Sequence, residues 1–283
     1  MTKQATNPVR KPRVGPQLKV VQDMKNQFPY AVGVLTALLA SSASAAGWGH
    51  LSGTIVFDGD PTDPAAIQVN KDHEVCGKHN LKDPTLRIDP DTKGIANCVI
   101  YVYLAKKEKI DIHENYEADA NAQITLDNLN CEFVPHVALV RIGQTLLVGN
   151  KDSVGHNTKI DTGSNPPKNP IVPAGGQFKQ KYTKVERRPV PVGCNIHGWM
   201  SAWLVIKDNP YMAVTDEQGN FEIKNLPVGD WSFQFWHERA GYLSKVKLDG
   251  KAESWKKGRP ELSIEEGDND LGTIAVSAEL FEK

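Results

Sequence analysis

No stretch of the chain beyond residue 50 sustains the 3.6-residue apolar period that an amphipathic helix requires. Apolar residues come instead in short runs, alternating or continuous, broken by Gly, Pro, Asn and Asp. A chain of this kind can bury its apolar side chains only by stacking sheets, so an all-β fold of sandwiches is expected. The clearest strands are LSGTIVF (51–57), NCVIYVYL (97–104), VALVRIGQTLLVGN (137–150), QFKQKYTKV (177–185), AWLVIK (202–207), GNFEIKNL (219–226) and DWSFQFW (230–236). In the last two, Phe221 and Ile223 alternate with Glu222 and Lys224, and Trp231, Phe233 and Phe235 alternate with Ser232 and Gln234. Each then has one face in a core and one in water. A charged stretch at 106–122 is expected as a linker or short helix, and a proline-rich coil at 161–176 as a surface loop.

At 283 residues the chain exceeds what one core usually organises, so two domains are expected. A formal net charge of -1 gives no basic footprint, which argues against a nucleic-acid partner. The N-terminus is different in character. Arg10, Lys11, Arg13, Lys19 and Lys25 precede an apolar run from Tyr30 to Ala40, then SSASAAG. That order is the charged, apolar and small-residue sequence of a secretory signal peptide. The apolar run is about half of the roughly 20 residues a membrane span needs, so no stable span is expected. The other readings are an uncleaved interfacial helix or a short signal anchor. Residues 1–46 are therefore set apart as a signal, and the rest is expected to be exported, periplasmic or extracellular, in an oxidising compartment.

Residues 193–200 read GCNIHGWM, which places Cys194, His197 and Met200 within seven positions. Upstream, His156 follows the patterned strand IGQTLLVGN. A type 1 copper centre takes two imidazoles and a thiolate in a trigonal plane with a weak axial ligand, often a thioether. His156, Cys194, His197 and Met200 make such a set. Zinc also accepts Cys and His, but an axial thioether favours copper. The ligand loop has no second cysteine, and the chain has no H-x-H pair and no C-x-x-C-H, so one mononuclear copper is the reading.

The segment from about 137 to 207 resembles the cupredoxins, in particular the amicyanin and plastocyanin group of blue copper proteins. The resemblance rests on VRIGQTLLVGN, then His156-Asn157, then Cys194, His197 and Met200, then AWLVI. It implies that Asn157 ties the His156 loop to the Cys194 loop by hydrogen bonding. It also implies that His197 reaches the surface as the point of electron entry, with Gly198 and Trp199 as neighbours. Trp199 reads equally well as a buried packing residue.

Three cysteines remain. Cys98 shares a strand face with Ile100, Val102 and Leu104 and is expected as a buried free thiol, whereas Cys76 and Cys131 sit in polar contexts and are the better disulfide pair. The alternative for Cys131 is a second metal site with His136 and His73 or His79. His237, beside Trp236 at a strand end, reads as a hydrogen-bonded structural histidine.

The stretch AVTDEQGNFEIKNLPVGDWSFQFWHERAGY is similar to the second half of a carboxypeptidase regulatory-like, transthyretin-type β-sandwich. Asp216 to Gly219 are expected to form a tight hairpin turn, and Leu226 to Gly229 the next. The first half of such a sandwich is missing directly upstream, while LSGTIVFDGDP and IANCVIYVYL would supply it. The expected organisation is thus a cupredoxin (111–207) inserted into a sandwich made of 47–110 and 208–283. In the rival arrangement, 47–110 are extra cupredoxin strands.

The function expected from this reading is exported electron transfer by a copper that cycles between Cu(II) and Cu(I), with a redox protein as partner. A non-redox β module that binds carbohydrate or protein is one alternative, and copper storage or delivery is another. KQKYTKVERR (179–188) would suit an acidic redox partner, or be a solvated strand. No nucleophile–base pair or phosphate loop is evident, so an enzyme is not expected.

Overall fold

Sheets stack in two sandwiches, and the order of strands along the chain differs from their order in space. The computed structural model describes residues 47–282. The expected signal segment, 1–46, lies outside the described residues.

The outer sandwich begins with the strand Trp48–Asp58, which runs antiparallel to Asn220–Pro227 and parallel to Gly267–Ser277. Leu51 stands opposite Ile223 and Ile55 opposite Ile274, so each apolar position of LSGTIVF meets one on a neighbouring strand. Lys245–Leu248 and Lys251–Ser254 complete this sheet. Its partner sheet holds Met212–Val214, Val99–Val102, Gly229–His237 and Gly241–Tyr242, with Glu261–Ile264 paired to Gly229–His237. Leu51, Ile55, Ile100, Tyr211, Phe233 and Phe235 fill the space between them. Both edges of Trp48–Asp58 are thus hydrogen-bonded to strands that lie more than 160 residues later in the chain.

Residues 123–207 build the inner sandwich. One sheet carries Gln177–Lys181, Thr145–Asn150, Gln123–Leu129 and Glu132–Val134; the other carries Val137–Arg141, Ser201–Lys207, Val190–Gly193 and Lys159–Ile160. Leu126, Phe133, Val140, Leu146, Leu204 and Ile206 form its core, and Cys194 and Met200 belong to the same cluster.

The two sandwiches meet face to face. Val99, Tyr101 and Trp236 of one pack on Val137 and Val205 of the other. Val99–Val102 is buried at every position for this reason: Ile100 and Val102 face the outer core, while Val99 and Tyr101 face the second sandwich. The continuous apolar runs in NCVIYVYL and AWLVIK mark strands covered on both faces.

Three local expectations need correction. Residues 137–150 are two strands, Val137–Arg141 and Thr145–Asn150, in different sheets. The break lies at Gly143, whose φ of 107 is in the region that favours glycine and whose Cβ position is 2.8 Å from Ala120 O. The turn at Asp216–Gly219 does not join a hairpin, because Met212–Val214 and Asn220–Pro227 belong to opposite sheets. The same holds at 226–229, where the chain crosses from Asn220–Pro227 to Gly229–His237. Both turns are corners of the sandwich. The stretch 106–122 holds only the short 3-10 turn Glu114–Tyr116, and the strand that follows, Gln123–Leu129, has a polar enough face to escape a search for apolar runs.

Between the first two outer strands, the chain leaves its own sandwich. Cys76 and Leu81 join the inner core, with Ile67, Val69 and Val75 packed against it. A disulfide joins Cys76 to Cys131, and the short helix His73–Cys76 lies beside the end of the inner sandwich that carries Cys194.

Candidate metal centre

The centre is assembled from two loops at one end of the inner sandwich. Asn150, the last residue of its strand, donates from Nδ2 to Val154 O (2.8 Å) and Val172 O (2.9 Å) and accepts from Asp152 N (2.9 Å). This side chain folds the loop 151–155 back and delivers His156 to the short pair His156–Asn157 with Ile171–Val172. The second loop follows Val190–Gly193. It closes on itself through Cys194 N to Met200 O (3.2 Å) and Met200 N to His197 O (2.9 Å). Asn157 Oδ1 joins the loops by accepting from Asn195 N (2.8 Å) and Ile196 N (3.1 Å).

His156, Cys194 and His197 bring one ligand atom each to within 4.8 Å of one another. All are buried: His156 and His197 are 0% exposed and Cys194 5%. The two Nδ1 atoms face each other at 2.9 Å. Two imidazole nitrogens held on one ion at about 2.0 Å each stand roughly 3 Å apart, so the pair is spaced to share a metal. Met200 is buried in the same cluster as Cys194 and borders a cavity of about 280 Å³. A buried thiol and two imidazoles, with a buried methionine in the same loop, fit copper by ligand softness.

The far side of each ring is occupied by a carboxylate. His156 Nε2 lies 2.9 Å from Asp152 Oδ2, and His197 Nε2 lies 2.7 Å from Asp72 Oδ2. With Nε2–H donating outward, each Nδ1 keeps its lone pair for a metal, and the carboxylate raises its basicity. Asp152 is fixed in turn by the backbone N–H groups of Asn130 (2.6 Å) and Cys131 (2.9 Å). Asp72 is in the left-handed conformation with φ 49, and its backbone oxygen accepts from Val75 N and Cys76 N, both at 2.9 Å.

These contacts set the proton inventory of the metal-free site. Burial pushes the Cys194 thiol up, but hydrogen bonds from His156 and from the backbone at His197, Asn157 and Ile196 prevail and hold it below the ordinary range. Burial pulls His156 down, and the Asp152 carboxylate and Cys194 outweigh it, raising the ring to about 9. His197 is lowered by burial, with Asp72 opposing and the charge on His156 adding to it. Without metal His156 is therefore protonated at neutral pH, beside a Cys194 thiol whose ionisation is eased and a His197 ring whose protonation is disfavoured. Binding a cation requires His156 to give up one proton.

Of the residues singled out in the sequence, the structure gathers His156, Asn157, Cys194, His197, Trp199 and Met200 at one place. It corrects the expectation that His197 reaches the surface: the ring is fully covered, with Asp72 over its outer nitrogen. Trp199 is half-buried, its ring centroid 5.1 Å from that of His197, and its indole N–H donates to Cys131 O at 3.2 Å. The second metal site around Cys131 does not exist in this form, since Cys131 is spent in the disulfide and His136 pairs with Glu238. Cys98 is a buried free thiol, raised to about 12 by burial. His237 is buried and accepts from Arg239 N at 3.3 Å.

Sequence reasoning missed Asp152 and Asp72. Asp152 stands four positions before His156, a signal that was open to reading. Asp72 lies more than 120 positions before His197, and no local pattern connects them.

No protein-family profile matches the chain, and no curated protein matches it. Among solved structures, a Cu-containing nitrite reductase (NirK) from Thermus scotoductus SA-01 is similar at 16% identity and TM-score 0.28, over 37% of this chain and 25% of that one. An amicyanin mutant in the Cu(I) state is similar at 16% identity and TM-score 0.27, over 31% of this chain and 83% of that one. A purple cupredoxin from Nitrosopumilus maritimus is similar at 22% identity and TM-score 0.25, over 30% of this chain and 99% of that one. This chain thus spans a quarter of the length of the nitrite reductase.

Proposed function

We propose that this chain is an exported electron-transfer protein with one mononuclear type 1 copper, which His156, Cys194 and His197 would hold with Met200 as a fourth, weaker donor. The observation that carries the reading is the convergence of three buried donor atoms within 4.8 Å of one another. Copper, when bound, would supply one-electron chemistry between Cu(II) and Cu(I). The protein's part is to keep the donors in place in both states. Asn157 holds the two loops in register, and Asp152 and Asp72 fix the orientation of both rings. The low exposure of His156, Cys194, His197 and Met200, none above 5%, supports a carrier over an enzyme.

With His197 covered, the route for electrons runs instead past Trp199 and Met200, which border the cavity of about 280 Å³ shared with His136, Phe133 and Val134. The disulfide between Cys76 and Cys131 supports an oxidising compartment, periplasmic or extracellular. Among the described residues no helix is long and apolar enough to cross a membrane. The strand pairings support a division into an outer sandwich, 47–110 with 208–283, and an inserted copper domain, 111–207.

A copper titration with direct metal analysis tests the assignment. One equivalent is expected to bind with release of a proton, and Cys194→Ala and His156→Ala are each expected to abolish stoichiometric binding. Equal uptake by all three proteins would overturn it.

A further inference from the structure

A cavity of about 740 Å³ opens at the opposite end of Ser201–Lys207 from the metal loops. A seven-residue strand spans about 20 Å at roughly 3.3 Å per residue, so this cavity is remote from the copper ligands. Three loops meet here. Lys106, Lys107 and Lys109 come from the loop after Val99–Val102, Arg187 and Arg188 from the loop before Val190–Gly193, and Lys257 and Arg259 from the turn near Lys256–Gly258. With Lys207, eight of the eighteen lining residues are cationic and two are acidic.

Among the described residues, none of these eight side chains is in an ion pair. The two carboxylates are engaged locally: Glu108 accepts from Ala105 N at 2.7 Å, and Asp208 accepts from Asn209 Nδ2 at 3.2 Å. Lys207 is 6% exposed, and its ammonium has only the Glu186 carbonyl at 2.7 Å and the face of Tyr101 at 3.9 Å. Burial pulls its pKa down to about 8. Arg259 lies 3.3 Å over the Tyr103 ring and donates to Gln234 Oε1 at 3.1 Å, while its buried Nε has no partner.

A large excess of positive charge in a concave, aromatic-floored site focuses potential and draws counter-ions. The volume falls within the roughly 300–1,000 Å³ of small-molecule sites, and arginine forks suit planar or tetrahedral oxyanions. The distance from the copper ligands disfavours a redox protein as the occupant. We propose that this cavity binds a small polyanion bearing two or more phosphate or carboxylate groups, independently of the metal centre.

Isothermal titration of the protein with inorganic tripolyphosphate and, separately, with citrate tests this. Two double variants carry the same change in charge: Arg187→Glu with Arg188→Glu in the cavity, and Lys179→Glu with Lys181→Glu on an exposed strand outside it. All four positions are exposed, so folding should survive, as circular dichroism would verify. Saturable binding of at least one anion is expected, weakened about tenfold or more by the first pair and little changed by the second. The anion bound more tightly identifies the phosphate or carboxylate source. Absence of saturable binding for both anions, or equal weakening by both pairs, would overturn the proposal.

Discussion

Asp152 shows how a single side chain can serve two loops. Its carboxylate holds the backbone of Asn130 and Cys131 with one set of contacts and His156 Nε2 with another. Asp152→Ala is therefore expected to lower copper affinity by about 10- to 100-fold, measured by competition with a chelator; unchanged affinity would remove it from the centre. Glu186 makes a comparable case far from the metal. It is 4% exposed, and burial pushes its carboxyl up, yet hydrogen bonds from the Asn165 side chain and from the N–H groups of Ser164, Asn165 and Gly163 hold it below the usual range. A folded-state pKa below the unfolded value means that the unfolded chain binds more protons as the medium turns acid. The contribution of Glu186 is complete above about pH 4.3 and is lost as pH falls through its folded value. Glu186→Gln is expected to cost about 2 kcal/mol at neutral pH and to flatten the acid limb of the stability profile, as denaturant melts at stepped pH would show. Cys194, His197 and Met200 were legible as candidate soft donors at close spacing. Asp72 was not, because only the path of the outer chain brings it to His197.

Among the elements, strands were legible where one face met water and the other a core, as in Asn220–Pro227 with its alternation of Phe221 and Ile223 against Glu222 and Lys224. The unbroken runs were legible as strands but not as inner layers, since burial on both faces depends on which sheet arrives from elsewhere. The turn at Asp216–Gly219 was legible as a turn and misread as a hairpin. Its geometry explains the difference. Asp216 Oδ1 accepts from Gln218 N at 3.0 Å and Asn220 N at 2.8 Å, which closes the turn, while Gly219 O accepts from Ile55 N at 2.8 Å and commits the next strand to the other sheet. Gly219 has φ 81, and its Cβ position is 2.1 Å from Ile55 O. Gly219→Ala combines left-handed strain with a backbone clash and is expected to cost at least about 2 kcal/mol. A thermal melt within the error of the unaltered protein would contradict this.

For the whole molecule, the contact between sandwiches decides whether they unfold together. Trp203 of the inner sandwich stacks edge-on against Trp236 of the outer one at 4.8 Å, and its indole N–H donates to Glu238 at 2.8 Å. Glu238 also pairs with His136. Trp236→Ala empties the middle of this contact at a cost of about 3–5 kcal/mol, and it is expected to split one calorimetric transition into two; a single transition at lower temperature would mean that the sandwiches are coupled elsewhere. The face that the two sandwiches share was not legible in the sequence, because it depends on which sheets meet. The disulfide and the segment around Asp72 tie the outer chain to the candidate metal centre as well, so that centre depends on both sandwiches. The proposed function requires that this site bind copper through the Cys194 sulfur. The measurement that tests it most directly is the optical and EPR spectrum of the protein after addition of Cu(II), beside Cys194→Ala. An intense visible thiolate-to-copper band with narrow hyperfine splitting, lost in the variant, is the expected result. A colourless protein with ordinary Cu(II) signals, the same with and without Cys194, would contradict it.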